Sequence, residues 1–251
     1  MVAVAGVAIA GDPPVFSHED WTAVLERFVD DKGFVDYRAL LSDRVTFDRY
    51  VRSIETTSPT TEAHLFPTRR DALAYYINTY NALVFKGVLE RGPEEKSVWR
   101  GLVSGLRFFV LMKVEVGGES MSLKALEDKL IREQFGDPRI HAALNCASVS
   151  CPRLPRRAFL GAELDMQLDA AMAEFANNPD HVFYQAEKGT VRLSKIFDWY
   201  KSDFLDFERS RGGSDSPRLL DYINRYRSSA DRIPGDLEPR FLPYDKGINA
   251  R

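Results

Sequence analysis

Cysteine and histidine are scarce in this chain, with two cysteines and four histidines among 251 residues. Both cysteines, Cys146 and Cys151, lie in one segment together with His141. Three side chains of these types could ligate a metal, but their spacing matches no standard zinc pattern. We therefore predict neither a metal nor another cofactor, and the thiols themselves become the chemically interesting groups.

Further features that mark common classes of protein are also missing. The chain has no G-x-S-x-G serine-hydrolase motif, no phosphate-binding P-loop and no dinucleotide-binding fingerprint. Its formal net charge of −3 lacks the basic excess of a nucleic-acid-binding protein. The apolar run at the N-terminus is too short to span a bilayer, so no integral membrane segment is predicted. A small-molecule or peptide-like ligand is the remaining kind of partner, and the oligomeric state stays open.

The N-terminus is apolar and rich in small residues. The run MVAVAGVAIA ends with Ala8-Ile9-Ala10, an A-x-A-like cleavage site. This pattern is typical of the end of a secretory signal peptide, although no basic region precedes it. We therefore assign residues 1–14 to a truncated signal peptide and leader, which predicts an exported protein, periplasmic or extracellular; without such a leader the protein would be cytoplasmic. Residues 15–251 are predicted to form one globular domain, since no linker-like stretch divides them.

The most informative helix is predicted from Thr68 to Pro93. A capping box of Thr68 with Asp71 begins it, and a Gly-Pro pair ends it. Apolar residues cover nearly all of its circumference, which is typical of a buried helix. Asn78 and Asn81 interrupt this pattern in the middle of the helix, three residues apart and hence on one face. Burying two carboxamides is costly unless their donors and acceptors find partners, so either a loop of the same protein or a substrate must face them.

The rest of the chain mixes helices with short strands that come as hairpins. A Thr/Ser/Pro-rich connection at 56–67 separates predicted helices, and strands predicted at 107–116 and 119–123 flank a Gly-Gly turn. A second hairpin is predicted at 182–193, and residues 139–145 are apolar enough to form a buried strand. Helices outnumber strands, and no βαβ alternation occurs. We therefore predict the α+β class: a single, mostly helical domain around the buried central helix, with a small and mainly antiparallel sheet.

The cysteine segment, residues 137–154 (DPRIHAALNCASVSCPRL), allows three interpretations. In the first, Cys146 or Cys151 is a thiolate nucleophile and His141 is its general base. In the second, the two cysteines form a disulfide that closes a tight loop, as is natural in an exported protein. In the third, the thiols are small buried hydrophobic groups and the histidine belongs to the core. Spacing alone does not decide among them, because His141 and Cys146 converge only if the chain turns near Asn145.

A thiolate–imidazole pair also needs a third group that orients the imidazole. Four polar residues outside the segment could supply it: Asn78, Asn81, Glu127 and Asp245. Neither cysteine clearly begins a helix, which is the common way to lower a thiol pKa, because prolines interrupt the residues that follow.

Several motifs of this chain resemble those of one known family, the domain of unknown function 547. The motifs are VDY at 35–37, YINTYNAL at 76–83, DPRIHAALNCASVSCP at 137–152, LSKIFDWY at 193–200, DF at 203–204 and LPYD at 242–245. The likeness extends over nearly the whole chain beyond the first helix. Tyr76 and Lys246 are departures, since the family pattern has tryptophan at both positions. No activity is established for the family; its bacterial members often look exported, which agrees with the predicted leader.

The family motif combines the polar residues of the central helix with those of the cysteine segment. We therefore hypothesise that Asn78 and Asn81 face His141, Asn145 and Cys146 across one polar cavity. The catalytic candidates are Cys146 as the nucleophile and His141 as the base that takes and returns the proton. Asn78 or Asn81 would orient the imidazole or donate to the oxyanion.

The predicted function is a thiol-dependent hydrolase or acyl transferase that acts on an amide or peptide-like substrate. The alternative is a non-catalytic binding or scaffolding domain in which a Cys146–Cys151 disulfide pins a recognition loop. Further ligand contacts are expected from residues of the same motifs: Tyr80, Glu127, Arg139, Asn145, Ser148, Ser150, Cys151, Tyr244 and Asp245.

Overall fold

Residues 14–92, 96–99, 107–212 and 216–251 are described by the structure, a computed structural model. The predicted leader lies outside the described residues except for Pro14, and so does the proline predicted to end the central helix. Among the described residues, no helix is both long enough and apolar enough to cross a membrane.

Helices dominate the described chain, joined by short 3₁₀ turns at Ala63–Leu65, Pro138–Ala142, Gly161–Glu163, Ala186–Lys188 and Ser229–Asp231. The helices in chain order are α1 (Glu19–Phe28), α2 (Tyr37–Ser42), α3 (Val45–Thr56), α4 (Arg69–Arg91), α5 (Leu123–Ala125, the π-helical Leu126–Arg132 and Glu133–Phe135), α6 (Leu164–Asn177), α7 (Lys195–Trp199), α8 (Lys201–Ser210) and α9 (Leu219–Ile223).

The central helix α4 begins and ends where the sequence predicts. Thr68 Oγ1 accepts from the backbone N–H of Asp71 at 3.1 Å, and Asp71 Oδ2 accepts from the N–H of Thr68 at 3.0 Å, so the capping box is formed. Gly92 follows the last turn with a φ of 98°, which glycine adopts without strain. Nearly every residue from 73 to 89 is buried, which confirms a helix that the rest of the protein encloses.

An aromatic cluster packs the three N-terminal helices against α4. The Trp21 indole stacks on Tyr50 with ring centroids 5.8 Å apart, and it meets Phe85 edge-on at 5.1 Å. Tyr37 of α2 contacts the same phenylalanine ring at 5.2 Å. All four rings are nearly inaccessible to solvent. Burial of each large apolar side chain contributes about 1.5–3 kcal/mol, so these contacts hold α4 firmly in place.

Two small sheets account for the strands. The strands are β1 (Lys113–Val116) and β2 (Glu119–Ser122) in one sheet, and β3 (Val182–Gln185), β4 (Thr190–Leu193) and β5 (Arg240–Phe241) in the other. Both predicted hairpins are confirmed as antiparallel pairs. Gly117 and Gly118 have φ values of 57° and 80°, as a two-residue primed turn requires. β5 pairs in parallel with β4 and so brings the C-terminal segment beside the second hairpin.

The strand predicted at 107–116 is only partly correct. Its second part forms β1, whereas Arg107–Leu111 form one π-helical turn. The apolar residues of this stretch suit a strand and a buried helical turn equally well, so the sequence pattern alone does not separate the two.

The buried strand predicted at 139–145 is wrong, because Pro138–Ala142 form a 3₁₀ turn. The cause is local. Pro138 fits the first helical position, and the Asp137 side chain accepts a hydrogen bond from the N–H of Arg139 at 3.0 Å. The proline and the Asp137 cap together begin a helical turn at a place where the apolar composition indicated an extended chain.

Two buried apolar clusters meet at the cysteine segment. The larger one surrounds α4, and the smaller one lies among α6 to α9 and the second sheet. Ile140 and Ala143 belong to the first cluster, whereas Ala142 belongs to the second. The α+β class is confirmed, and the turn that carries His141 lies at the junction of both clusters.

Asn78 of α4 binds the backbone of a distant loop with both ends of its carboxamide. Its Nδ2 donates to the carbonyl of Phe159 at 2.7 Å, and its Oδ1 accepts from the N–H of the same residue at 3.0 Å. Both residues are buried, so these backbone groups have no access to water as a substitute partner.

We predict that Asn78→Ala lowers the free energy of unfolding by about 2–4 kcal/mol, because it leaves a buried N–H and a buried C=O unpaired. Urea titration followed by circular dichroism measures this change. Glu90→Ala, at an exposed position of the same helix, is the matched control and should change stability by less than about 0.5 kcal/mol. Equal effects of the two substitutions would contradict the assigned role of Asn78.

Candidate functional site

A cavity of about 310 Å³ opens beside the cysteine segment. Its wall is mostly aromatic and aliphatic, with a few polar groups: Tyr80, Trp99, Phe109, Val110, Lys124, Glu127, His141, Leu144, Cys146, Cys151, Ile196, Trp199, Tyr200 and Tyr244. Both cysteines and His141 therefore contribute to one surface. An apolar cavity with a few convergent polar groups is the usual form of a small-molecule site.

The two thiols lie together under one tyrosine. Cys146 Sγ is 3.2 Å from the Tyr244 hydroxyl, and Cys151 Sγ is 3.3 Å from the same oxygen. The backbone N–H of Cys146 donates to Cys151 Sγ at 3.0 Å. Cys146 is partly exposed, whereas Cys151 is buried. Cys146 is thus the thiol that a ligand in the cavity can reach.

The two thiols differ in pKa, so that Cys146 loses its proton more easily than Cys151 does. The adjacent Cys151 thiol, aided by the hydroxyls of Tyr244 and Ser148, lowers the pKa of Cys146 to about 7 in spite of burial. Burial raises the pKa of Cys151 well above its ordinary value, and its neighbour Cys146 raises it further. Burial also raises the pKa of Tyr244, which keeps its hydroxyl protonated and able to donate. The pair therefore places its negative charge on Cys146, which is mainly a thiolate above about pH 7, whereas Cys151 stays a thiol.

The disulfide that the alternative function required is not formed. Cys146 and Cys151 are both free thiols. They share the same hydroxyl and contact each other through a backbone N–H, so their closeness is achieved by hydrogen bonds. The disulfide-pinned recognition loop is therefore corrected to a loop with two reduced cysteines.

Asn81 fixes the chain just before Cys146. Its Nδ2 donates to the carbonyl of Ala143, and its Oδ1 accepts from the N–H of Asn145, both at 2.9 Å. Like Asn78, it presents a planar amide that replaces the backbone partners of a strand or helix. The chain turns at this point, as convergence of the histidine and the cysteine requires.

The turn after Cys146 is held by a second asparagine. Asn145 Oδ1 accepts from the N–H of Ala147 at 2.9 Å, and its Nδ2 donates to the carbonyl of Pro152 at 2.8 Å. Ala147 has a φ of 59°, a left-handed conformation that is uncommon outside glycine. Asn249 accompanies this turn, since its N–H donates to the Ala147 carbonyl at 3.2 Å. Strained backbone persists only where the surroundings enforce it, and it concentrates at functional sites.

His141 is oriented by a carboxylate that the sequence analysis did not propose. Its Nε2 lies 2.8 Å from Asp203 Oδ2, and the imidazole side chain is 1% exposed. Because an ionised carboxylate only accepts, Nε2 carries the hydrogen and the other ring nitrogen, Nδ1, is free to take a proton. An Asp–His pair of this form is what a general base requires.

Arg132 secures the charge of Asp203. Its Nε and Nη2 donate to the two carboxylate oxygens at 2.9 Å each. Burial alone would raise the pKa of Asp203, but the hydrogen bonds from His141 and Arg132 outweigh burial and hold that pKa below its ordinary value. The carboxylate therefore stays ionised at every pH at which the protein would work.

Tyr200 and Glu127 complete the wall next to the imidazole. The Tyr200 ring stacks on His141 with centroids 3.9 Å apart. Its hydroxyl donates to Glu127 Oε1 at 2.5 Å. Glu127 and Arg132 both belong to the π-helical part of α5, and π-helical turns are frequent at functional sites.

The asparagines of α4 do not face the imidazole as hypothesised. The hydrogen bonds of Asn78 and Asn81 go to backbone groups of two loops, and neither residue lines the cavity. They position the segment that carries Cys146, whereas Asp203 is the group that orients His141.

Five of the expected binding residues do not line the cavity: Arg139, Asn145, Ser148, Ser150 and Asp245. Ser148 Oγ accepts from the Trp99 indole N–H at 2.9 Å. Ser150 Oγ accepts from the N–H of Asp245 at 2.8 Å, which ties the C-terminal segment to the cysteine loop. Arg139 points away from the cavity and binds Asp137, and it also pairs with carboxylates of α6.

Asp203 and Trp199 are the functional candidates that sequence reasoning missed. Both fall within the downstream motifs at 193–204, where the sequence showed a resemblance but offered no chemical reason to choose them. Trp199 ends α7 and Asp203 lies on α8, and the packing that brings these two helices to the cysteine segment has no clear sequence signature. Of the two departures from the family pattern, Lys246 places its ammonium 5.0 Å from the Trp99 ring at this site.

The acidic, histidine and cysteine side chains of the described residues do not form a metal-binding cluster. Within residues 14–92, 96–99, 107–212 and 216–251, no group of three or more His, Cys, Asp or Glu side chains is arranged to hold a metal ion. What the arrangement can do with its own groups is attack an electrophile with Cys146 and move a proton through His141.

We predict that iodoacetamide alkylates Cys146 with a rate that is half-maximal near pH 7, because only the thiolate reacts and its pKa is lowered to about 7. Cys151 should stay unmodified in the folded protein. Tyr244→Phe removes a donor to the thiolate and should shift the midpoint to higher pH. Tyr184→Phe, in β3 and outside the cavity, is the control. A midpoint near the value of a free thiol, or preferential labelling of Cys151, would refute this assignment.

Comparison with known proteins identifies a family but no activity. Residues 66–176 match the family model described as "Protein of unknown function, DUF547". No curated protein and no solved structure matches the chain. The matched residues contain α4, Glu127, His141 and both cysteines, while Asp203 and Tyr244 lie beyond them. The resemblance to the DUF547 family is thereby confirmed for residues 66–176, which carry the thiols and the asparagines that position them.

Proposed function

We propose that this protein is a thiol-dependent hydrolase or acyl transferase that acts on an amide or peptide-like substrate. One observation carries the proposal: a partly exposed thiol of lowered pKa and an imidazole bound to a carboxylate line the same cavity. A purely structural cysteine needs neither a lowered pKa nor an oriented histidine beside it.

The proposed reaction passes through a thioester. His141 Nδ1 takes the proton of the Cys146 thiol as Sγ forms a bond to the substrate carbonyl carbon, and the carbonyl π electrons move onto the oxygen. When the tetrahedral intermediate collapses, the C–N bond breaks and His141 gives its proton to the leaving amine. Water, or an acceptor amine in a transferase, then attacks the thioester and loses its proton to His141. The C–S bond breaks and the thiolate is regenerated.

Asp203 is assigned a positioning role in this mechanism. Its hydrogen bond to Nε2 selects the tautomer in which Nδ1 is the basic nitrogen. Its negative charge also stabilises the imidazolium that forms when His141 takes a proton. Arg132 keeps that charge in place and prevents the carboxylate from turning away.

Hydroxyl groups are the best candidates for stabilising the oxyanion. The carboxamides of α4 bind backbone groups and do not line the cavity, so we assign them no part in binding the oxyanion. Tyr244 lies within hydrogen-bonding distance of Cys146, and Tyr80 lines the same cavity. Burial raises the pKa of both tyrosines, so each keeps a proton to donate.

We predict that p-nitrophenyl acetate acetylates Cys146 and that the adduct survives acid quenching, where intact mass and peptide mapping detect it. Cys146→Ala should abolish the adduct, and Cys151→Ala should retain it. Asp203→Asn should slow acetylation by about 100-fold, because it loses the carboxylate that orients the base. Asp206→Asn, at an exposed position three residues further along α8, is the matched control and should react normally.

Two results would overturn the proposal. One is an acetylation rate equal to that of a small free thiol of similar pKa. The other is an unchanged rate in both Asp203→Asn and His141→Ala proteins that remain folded by circular dichroism.

A further inference from the structure

The walls of the cavity are suited to an organic cation. Six aromatic residues line it: Tyr80, Trp99, Phe109, Trp199, Tyr200 and Tyr244. The face of an aromatic ring attracts cations, and the attraction grows where water is excluded. Two cations of the protein already lie over these rings, Arg132 at 4.9 Å from Tyr200 and Lys246 at 5.0 Å from Trp99.

Among the described residues, no lysine or arginine forms a salt bridge with Glu127, the glutamate that lines the cavity. Glu127 Oε1 accepts from the Tyr200 hydroxyl, while Oε2 has no hydrogen-bond partner among the described residues. The tyrosine hydroxyl is the donor in this contact, so Glu127 Oε1 is the acceptor and Oε2 is left for another donor. An anion among apolar walls is costly unless a positive charge offsets it.

The described positive groups in and beside the lining, Lys124 and Arg132, are already paired with other carboxylates. Lys124, one turn before Glu127, binds Asp128 at 2.6 Å through its ammonium group. Arg132 binds Asp128 and Asp203. Because Lys124 is engaged by Asp128, the carboxylate of Glu127 makes this part of the described lining attractive to a positive charge.

We infer that the cavity binds an alkylammonium group, with the ammonium at Glu127 Oε2 and the alkyl chain along the aromatic rings. On the proposed function, the substrate would then be an amide or ester whose acyl part carries a protonated amine. The substrate statement rests on the proposed function, whereas the binding of the cation does not depend on catalysis. A cavity of about 310 Å³ accommodates a group of this size.

The test compares three ligands of equal chain length: n-butylammonium, 1-butanol and butanoate. Titrations followed by tryptophan fluorescence report binding, because Trp99 and Trp199 line the cavity. We expect n-butylammonium to bind at least about tenfold more tightly than 1-butanol, and butanoate to bind most weakly. Equal affinity for the ammonium and the alcohol, or tighter binding of butanoate, would overturn the inference.

Glu127→Gln keeps an acceptor for Tyr200 but removes the charge, so it should bring the affinities of n-butylammonium and 1-butanol to within about twofold of each other. Glu133→Gln, an exposed carboxylate on the same helix, is the matched control and should retain the preference for the cation. Unchanged selectivity in a folded Glu127→Gln protein would overturn the assignment of the site.

The Cys146→Ala protein separates this inference from the proposed function. It should keep the preference for the ammonium ligand although it cannot form an acyl adduct. If wild-type protein shows the cation preference but forms no adduct, only the proposed function fails. If it forms the adduct without any cation preference, only the present inference fails.

Discussion

The carboxamide of Asn81 is the contact on which the cysteine segment depends. It binds the carbonyl of Ala143 and the N–H of Asn145 at the point where the chain leaves its 3₁₀ turn, and so replaces regular secondary structure. Asn145 binds the turn after Cys146 in the same way, with its carboxamide between the carbonyl of Pro152 and the N–H of Ala147. Because α4 is enclosed by the core, the position of the thiol is defined by the most rigid element of the protein.

Buried charge is the second constraint on the site. His141 is almost inaccessible, and Asp203 is largely covered, yet the carboxylate is held ionised by the imidazole and by Arg132. A buried pair of this kind adds little stability beyond what apolar residues would provide, because desolvation offsets much of the attraction. The desolvation of His141 and Asp203 therefore has a reason if the pair acts as the base in catalysis. The neighbouring thiols are a second example, since the hydrogen bond from Cys151 stabilises the negative charge on Cys146.

Local sequence patterns predicted the helices, the hairpins and the burial of α4, because caps, Gly-Gly turns and apolar periodicity act over a few residues. They also offered Cys146 and His141 as a pair, with Glu127 as one of four candidates for the group that orients the imidazole. They failed for the 3₁₀ turn at 138–142, which Asp137 begins, and for the partner of His141. Asp203 approaches from α8, and only the packing of two core clusters brings it there. The polar pattern of α4 was recognised, but its partners proved to be backbone groups.

The most direct test of this account is a crystal structure of the protein after reaction with a small peptide aldehyde, which forms a hemithioacetal and mimics a tetrahedral intermediate. We predict a bond to Sγ of Cys146, with the new oxygen inside the aromatic cavity. His141 Nδ1 should lie within about 3.2 Å of the reacting atoms, with Nε2 still bound to Asp203. Reaction at Cys151, or an imidazole that remains out of reach of the adduct, would contradict the assignment of Cys146 and His141 as a catalytic pair.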